Sequence, residues 1–287
     1  MERVAIIGLG LIGGSLGLAL KRAGGAEMEI SGFSRKPETA SKALSLGVID
    51  RAEAELSAAV ERASMVIIAT PVLTIRNILQ QIAAHLPAQC IVTDTGSTKM
   101  EVMKWAQHLL PPTVDFIGGH PMTGKEISGL DGAEVELFNG CIYCLTPKSS
   151  ASSEAVQSMT RVVRLVGANP LFIDPAAHDN FVAAVSHLPM LLSAALVSAT
   201  ANDPSWAEMS RLAASGYRDL SRLALGDPEM SRDICLTNQV NIVNWMDQYI
   251  EELRKYRRLI SEGGEELMEA FLRAQQARRK WLQERQG

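Results

Sequence analysis

The stretch RVAIIGLGLIGG, residues 3–14, decides the fold. Its first half is an apolar run typical of a buried strand, and the small and apolar residues that follow indicate a helix. Between the two, GLGLIG (8–13) carries the G-x-G-x-x-G spacing, which lets backbone N–H groups and a helix amino terminus approach a pyrophosphate. The stretch therefore predicts a dinucleotide-binding turn rather than a purely structural one. The predicted cofactor-binding residues of this turn are Gly8, Gly10, Leu11, Ile12 and Gly13.

From this turn to Asp174, strand-like and helix-like runs alternate. The strand-like runs are 3–8, 28–33, 65–69, 90–94, 114–119, 141–145 and 170–174. The helix-like runs between them are 12–23, 37–45, 75–86, 98–110 and 152–166. Continuous Val- and Ile-rich strands separated by helices favour a parallel sheet that is covered on both faces.

After Asp174 the strand patterns stop. The remaining runs indicate helices at 176–201, 206–224, 229–261 and 265–285. Pro189 is expected to kink or split the first of them. The third, if unbroken, would span about 50 Å at 1.5 Å per residue, and a helix of that length more often packs against a partner subunit. We therefore expect an α/β N-terminal Rossmann-type nucleotide-binding domain, residues 1–174, followed by an all-α C-terminal domain, residues 175–287.

The composition is that of an ordinary globular chain of 287 residues, with a net charge of −4 and a pI of about 5.8. This charge disfavours attraction to nucleic acid or to an anionic membrane, and we expect no apolar run to reach the roughly 18 residues that span a bilayer. The sequence opens directly into a strand pattern, so we expect a cytoplasmic location. Cys141 and Cys144 form a C-x-x-C, but they lie in an apolar strand without a second pair. This favours structural thiols and no metal site.

The end of the second strand, GFSRKP (32–37), bears on cofactor choice. A dinucleotide fold that prefers NAD usually places Asp or Glu there to bind the ribose hydroxyls. Ser34 and Arg35 instead offer a hydroxyl and a guanidinium, which suit a 2′-phosphate, so NADP is expected. NAD stays possible if Arg35 only stacks on the adenine. The turn at the end of the third strand is expected to cap the nicotinamide side of the cleft with Ala69, Thr70 and Pro71.

The stretch GGHPMTGKEISG, residues 118–129, carries the candidate catalytic histidine. Its glycines and proline predict a stiff, bent loop that holds His120 just beyond a parallel strand, where ligands of such sheets bind. DTGSTK (94–99) ends a neighbouring strand, so Ser97 is expected in the same cleft. His85 and His108 fall in the last turns of amphipathic helices, where a surface role is expected.

Further motifs follow in the second half of the chain: H-D at 178–179, S-H-L-P at 186–189 and R-x-x-x-x-D-P at 222–228. Together with the glycine-rich fingerprint, D-x-G-S-x-K and G-G-H-P-M-x-G, and in this order, they resemble the prephenate/arogenate dehydrogenase family. The resemblance covers nearly the whole chain. It implies NADP- or NAD-dependent oxidative decarboxylation of prephenate or arogenate, the dehydrogenase step of tyrosine biosynthesis. It also implies a homodimer formed through the C-terminal helices, whose domain also binds the substrate.

The resemblance also implies roles for individual side chains. His120 would be the catalytic histidine at the ring hydroxyl of the substrate, supported by Ser97, and a neutral imidazole can accept the hydroxyl proton. Arg222 would bind a substrate carboxylate, since a guanidinium grips a carboxylate through two hydrogen bonds. The remaining residues assigned to the substrate are Thr123, Glu126 and His187. His187 could equally be a buried histidine of the core, and the helical spacing of Arg211, Arg218 and Arg222 could equally be a solvated face.

Several alternatives stay open at this point. Met190 stands where many members of the family have a second histidine. Arogenate is a rival to prephenate, because Glu126 or Asp219 could bind the ammonium group that arogenate carries. A β-hydroxyacid dehydrogenase would need a catalytic lysine on a C-terminal helix, but no lysine lies between Lys148 and Lys255. A non-catalytic NADP-sensing protein would be expected to lack the His120, Ser97 and Arg222 set.

Overall fold

The computed structural model describes residues 2–125 and 127–284. Within these residues one sheet contains eight strands. The strands are β1 (Glu2–Ile7), β2 (Met28–Phe33), β3 (Arg51–Glu53), β4 (Met65–Ile68), β5 (Ile91–Asp94), β6 (Asp115–Pro121), β7 (Ile142–Pro147) and β8 (Asn169–Phe172). Their order across the sheet is β3-β2-β1-β4-β5-β6-β7-β8. The sheet order reverses between β1 and β4, which is the place where doubly wound folds bind ligands.

Six helices accompany the strands. They are α1 (Leu11–Gly24), α2 (Pro37–Ser45), α3 (Leu56–Val60), α4 (Val72–Ile82), α5 (Met100–Leu109) and α6 (Ser153–Leu165). Side chains of β1 show why the sheet needs cover on both faces: Val4 and Ile6 join one buried cluster, and Ala5 and Ile7 join the other. Residues of α1, α2 and α6 belong to the first cluster, and residues of α3, α4 and α5 belong to the second. The Rossmann-type prediction for this part of the chain is confirmed.

The sheet differs from the prediction in two ways. β7 runs antiparallel to β6, with His120 opposite Cys144, although the other strand pairs are parallel. The connection 122–141 contains only a short 3-10 turn at Leu130–Gly132 among its described residues, and without a crossover helix the chain can return in the opposite direction. The short edge strand β3 was also missed, because RAE has no apolar pattern.

Helices dominate the described residues that follow β8. They are α7 (Pro175–Val182), α8 (Leu188–Ala201), α9 (Trp206–Met209), α10 (Ser215–Ser221), α11 (Pro228–Thr237), α12 (Gln239–Glu262) and α13 (Glu265–Glu284). The all-α prediction is confirmed here. Contacts divide the chain into two compact units after Gln239. The division of the sequence into 1–174 and 175–287 stays a prediction about domains.

Three of the predicted long helices are interrupted. A π-helical segment, Ala183–His187, joins α7 to α8 just before Pro189, because a proline provides no N–H for the regular ladder. The predicted helix 206–224 breaks at Ala213, whose backbone is extended, so Arg211 does not share a continuous helix face with Arg218 and Arg222. The predicted helix 229–261 breaks at Asn238, and α12 spans about 36 Å rather than about 50 Å.

The helical stretch Pro175–Ala201 is 27 residues long and apolar enough to cross a membrane by length and composition. The expectation that no segment reaches this length was therefore wrong, because the π segment lets the helix continue past Pro189. Core helices of soluble proteins pass the same test. Asp179 and His187 of this stretch are buried and hydrogen-bonded within the protein, and Ser193 accepts a hydrogen bond from the backbone N–H of Ala224 at 2.9 Å.

Candidate active site

The chain leaves β1, β2, β4, β5 and β6 at the same edge of the sheet, because these strands are parallel. The connections that start there are 8–10, 34–36, 69–71 and 95–99, and β6 ends there at Pro121. Every predicted cofactor residue lies in one of these connections or in the first turn of α1. The structure thus brings the glycine-rich turn and His120 to one edge of the sheet.

The turn after β1 is shaped to receive an anion. Gly8 has a φ of +96°, and a Cβ there would lie 2.4 Å from the carbonyl oxygen of Ala69, so only glycine fits. A Cβ on Gly10, the residue before α1, would meet nothing within 4 Å. The backbone N–H groups of Leu11, Ile12 and Gly13 lie in the first turn of α1 and have no acceptor within the helix. Open space and unpaired donors at a helix amino terminus fit a pyrophosphate.

The residues predicted to select the cofactor lie on either side of this turn. Ser34 and Arg35 directly follow β2; Arg35 is exposed, and the hydroxyl of Ser34 accepts a hydrogen bond from the N–H of Lys36 at 3.3 Å. Thr70 lies in the turn between β4 and α4 and is hydrogen-bonded to Thr74 at 2.8 Å. Their positions agree with the predicted cleft, and their roles stay predictions.

His120 is the sixth residue of β6 rather than a loop residue as predicted. The glycines before it do not break the strand; they let it pass close to its neighbours. A Cβ on Gly119 would lie 2.5 Å from the carbonyl oxygen of Asp94 on β5. His120 is 9% exposed, so its imidazole is almost enclosed.

A buried ion pair lies behind His120. Asp94 ends β5 and pairs with the ammonium of Lys99, and both side chains are fully buried. Lys99 Nζ also donates to the carbonyl of Gly119 at 2.6 Å, and the carboxylate of Asp94 accepts from the N–H groups of Gly96 and Gly119 at 2.8 and 3.2 Å. A buried pair is tolerated where such additional hydrogen bonds satisfy its atoms. It fixes the loop 95–99 against the end of β6.

His120 is connected to a carboxylate through a second histidine. His120 Nδ1 lies 2.9 Å from His178 Nε2, and His178 Nδ1 lies 2.8 Å from Asp179 Oδ1. His178 and Asp179 are about 1% exposed. Asp179 Oδ1 also accepts from the N–H of Lys99 at 2.7 Å, and Oδ2 accepts from the N–H of Met100 at 2.9 Å. Asp179 of α7 therefore caps the amino terminus of α5.

A third histidine, His187, lies in the π segment close to this cluster. Asn238 donates from Nδ2 to the carbonyl oxygen of Asp179 at 2.7 Å, which fixes the orientation of its amide. The same Nδ2 lies 3.2 Å from His187 Nδ1, which therefore accepts, and the ring proton of neutral His187 belongs on Nε2. That Nε2 is buried and finds no hydrogen-bond partner among the described residues. It is an unsatisfied buried donor beside the His178–Asp179 pair.

Burial controls the protonation of these rings. Burial holds the pKa of His120 well below its ordinary value, and His178, Lys99 and His187 act in the same direction. Burial also lowers the pKa of His187 from 6.5 to about 4, although Asp179 opposes this shift. His120 is therefore neutral at physiological pH and free to act as a base.

The other predicted substrate residues are more dispersed. Ser97 is partly exposed in the connection between β5 and α5. The hydroxyl of Thr123 donates to the carbonyl of Leu137 at 3.1 Å. Arg222 is exposed at the start of a 3-10 turn, Arg222–Leu225, and Asp219 is exposed and paired with Arg218 at 3.3 Å. Glu126 lies outside the described residues. The substrate roles of these residues stay predictions.

Five residues of the cluster carried no predicted role: Asp94, Lys99, His178, Asp179 and Asn238. The H-D pair and the D-x-G-S-x-K motif were visible as patterns, but their partners are far away in sequence. Asn238 gave no signal, because the predicted helix 229–261 runs through it. The predicted structural thiols lie at the start of β7, where burial raises the pKa of Cys141 to about 11. Within the described part of the chain, no three His, Cys, Asp or Glu side chains converge as they would around a metal ion.

Two protein-family descriptions match the chain. "Prephenate dehydrogenase, nucleotide-binding domain" matches residues 16–171, and "Prephenate dehydrogenase, dimerization domain" matches residues 174–274. The prephenate dehydrogenase of Bacillus subtilis (strain 168) is 35% identical over 280 residues, which are 96% of this chain and 75% of that protein.

Solved structures agree with this assignment. Prephenate dehydrogenase from A. aeolicus, in complex with hydroxyphenyl propionate and NAD+, is 31% identical and superimposes with a TM-score of 0.90 over 98% of both chains. Synechocystis arogenate dehydrogenase is 33% identical, with a TM-score of 0.83 over 98% of this chain and 100% of that chain. The predicted family, fold class and oxidoreductase activity are confirmed.

The lowered pKa of His187 predicts that this residue makes the protein sensitive to acid. Its stabilising contribution is complete above the unfolded pKa of 6.5 and is lost as the pH falls towards the folded pKa of about 4. Between about pH 7 and about pH 5 the loss amounts to about 2 kcal/mol of unfolding free energy. His187→Gln, which cannot titrate, should lose less stability over this range by that amount, as measured by urea unfolding at both pH values. His108→Gln, which changes an exposed histidine, is the control and should behave like the unaltered protein. Equal losses in the His187→Gln and unaltered proteins would contradict the assignment.

Proposed function

The chain belongs to the prephenate dehydrogenase family, and on that premise we propose that it oxidatively decarboxylates prephenate with a nicotinamide cofactor, using His120 as the catalytic base. The single observation that carries the proposal is the nearly enclosed, neutral imidazole of His120 at the same edge of the sheet as the glycine-rich turn. A dehydrogenase needs these two elements together, because the proton and the hydride leave the same C–OH group.

The chemistry follows from the residue types. When bound, the nicotinamide supplies the hydride acceptor. As hydride leaves the ring carbon that bears the hydroxyl, positive charge develops there, and neutral His120 accepts the hydroxyl proton. The ring carboxylate leaves as carbon dioxide, and its bonding electrons complete the aromatic ring. Burial of His120 keeps the site free of bulk water, which strengthens each of these electrostatic contacts.

Charged and polar side chains would hold the carboxylates of the substrate. Arg222 can bind one through two hydrogen bonds. His187 offers its buried Nε2–H, which would otherwise stay unsatisfied at a cost of roughly 1–3 kcal/mol. Ser97 and Thr123 lie on connections at the same edge and supply hydroxyl groups. The proposal assigns Glu126 to the substrate side as well, on sequence grounds alone.

Arogenate is the second candidate substrate, because a structural neighbour with 33% identity is an arogenate dehydrogenase. The two substrates share the ring and differ in a keto or an amino side chain. An ammonium group would need a carboxylate partner. The described candidate, Asp219, is already paired with Arg218 on the surface, so we favour prephenate.

We also propose NADP as the preferred cofactor. Ser34 and the exposed Arg35 follow β2 directly, where an acidic residue would otherwise select the ribose diol. A guanidinium can bind a 2′-phosphate, whereas a carboxylate would repel it.

The protein is further proposed to act in the cytoplasm as a homodimer assembled through its C-terminal helices. The family description that matches residues 174–274 names a dimerization domain. Val243, Met246, Ile250 and Leu253 are exposed along one side of α12, and apolar stripes of this kind mark interfaces. The Pro175–Ala201 helix also exposes much of its apolar surface within its own unit.

Among the tests of this proposal, the first concerns the reaction itself. Unaltered protein should reduce NADP or NAD in the presence of prephenate, and His120→Asn should lower turnover by about 10²–10⁴-fold while cofactor binding is kept, because a positioned base is lost. His108→Asn is the matched control and should be fully active. The measurement is reduced nicotinamide absorbance with prephenate and arogenate offered separately. Turnover of neither substrate by the unaltered protein would refute the proposed function.

The second prediction concerns the cofactor. NADP should be preferred over NAD by about ten- to a hundred-fold in kcat/KM, since a charged, partly exposed contact contributes about 1.5–3 kcal/mol. Rising salt should weaken the preference. Arg35→Asp should reverse it, whereas the neighbouring Lys36→Asp serves as a control for charge alone. Equal use of both cofactors by the unaltered enzyme would mean that Arg35 only stacks on the adenine.

The third prediction concerns assembly. Sedimentation velocity should show a dimer, and Val243→Asp combined with Leu253→Asp should produce monomers by placing charge in the apolar stripe. Asn244→Asp combined with Gln248→Asp adds the same charge to another side of α12 and should leave the dimer intact. A dimer that persists in the first double variant would place the interface elsewhere.

A further inference from the structure

We propose that His178 and Asp179 are positioning residues that hold the proton of His120 on Nδ1, leave Nε2 as the catalytic lone pair, and draw the positive charge onto His178 when His120 accepts a proton. The role deepens the proposed function and rests on it for the kinetic tests alone. The placement of the protons is a property of the free protein.

The carboxylate of Asp179 determines which ring nitrogen of His178 carries a proton. It accepts hydrogen bonds from the N–H groups of Lys99 and Met100 at the amino terminus of α5, where a negative charge is stabilised. An ionised carboxylate can only accept, so His178 Nδ1, 2.8 Å away, must carry a proton. The opposite tautomer would bring two acceptors to hydrogen-bond distance.

The position of the proton on His178 in turn determines the position of the proton on His120, through one further hydrogen bond. With its proton on Nδ1, neutral His178 has only a lone pair on Nε2. His120 Nδ1, 2.9 Å from this lone pair, must therefore donate, and His120 Nε2 is left without a proton. This is the nitrogen that a substrate hydroxyl would meet.

The same hydrogen bonds specify where the proton goes during turnover. The substrate O–H bond breaks and a bond from that hydrogen to His120 Nε2 forms. The hydrogen on His120 Nδ1 then moves to His178 Nε2, so His120 becomes neutral again and His178 becomes the imidazolium. No oxidant or further reactant is needed for this transfer.

The charges around the cluster favour His178 as the ring that finally holds the additional proton. The ring of His178, the ammonium of Lys99 from the loop before α5, and the ring of His187 from the π segment all disfavour a proton on His120. Asp94 faces Lys99 and neutralises part of its effect. Asp179 faces His178 directly at 2.8 Å. A positive charge is therefore better stabilised one residue further from the substrate.

The decisive measurement is nitrogen NMR of the free protein labelled with ¹⁵N-histidine, at a pH near neutrality. Signals are assigned by comparison with His120→Asn and His178→Gln. We expect the proton on Nδ1 in both His120 and His178. A proton on Nε2 of His120 would overturn the inference, whether or not the protein turns over any substrate.

The kinetic test is Asp179→Asn. The amide oxygen can replace Oδ1 towards His178 and Lys99, which keeps the tautomers while the charge is lost. The amide nitrogen cannot accept from the N–H of Met100, so that hydrogen bond is lost as well. We expect kcat to fall about ten- to a hundred-fold with KM within about two-fold. We also expect the acid limb of the kcat profile to move about one unit lower, because the carboxylate raises the basicity of the pair.

Asp174→Asn is the matched control for this variant. Asp174 also caps a helix, accepting from the N–H groups of Ala176 and Ala177 at 2.9 and 3.1 Å, but it contacts no histidine. It should cost similar thermal stability and leave kcat and its pH profile unchanged. If Asp179→Asn fails to fold, His178→Gln provides the kinetic test and should lower kcat in the same way. Normal kcat with an unmoved acid limb in the folded variant would overturn the proposed charge transfer.

Discussion

The buried ion pair between Asp94 and Lys99 is the constraint on which the site depends. It joins the end of β5, the connection to α5 and the end of β6, because its atoms also bind the backbone of Gly96 and Gly119. Removing one partner from such a pair typically costs about 3–5 kcal/mol, since the other charge is left buried. The backbone around His120 is therefore held in place by this ion pair as much as by the hydrogen bonds between the strands.

The same connection attaches the helical part of the chain to the sheet. The backbone of Lys99 and Met100 donates to Asp179 of α7, and Asn238, after α11, binds the carbonyl of Asp179. Asp179 thus receives hydrogen bonds from the sheet side and from a distant helix end. Any displacement of α7 would disturb the His178–His120 hydrogen bond as well as the amino terminus of α5. Fold and site therefore depend on the same few contacts.

The sequence predicted those features that depend on local pattern. GLGLIG and the strand ends each carry their signal within a few residues, and the end of a strand was enough to expect His120 on the same side of the sheet as the glycine-rich turn. The antiparallel direction of β7 was not visible, because direction depends on whether a crossover helix exists. The break at Asn238 could not be predicted either, since its cause is a set of partners 51 and 59 residues away. His120 was placed in a loop because the close approach that explains Gly119 is a tertiary fact.

The two halves of the site are built by different means, and this affects how each can change. The glycine-rich turn consists mainly of backbone groups, and Ser34 and Arg35 lie outside it, so substitutions at these two positions should leave the turn undisturbed. The cluster of His120, His178 and His187 consists instead of buried titratable side chains, and hydrogen bonding links the protons of His120 and His178. The low pKa values that keep His120 and His187 neutral also mean that these rings destabilise the fold when acid forces protons onto them. Neutral rings in this position therefore lower stability in acid, and Asp179 opposes that effect because it stabilises positive charge on His187.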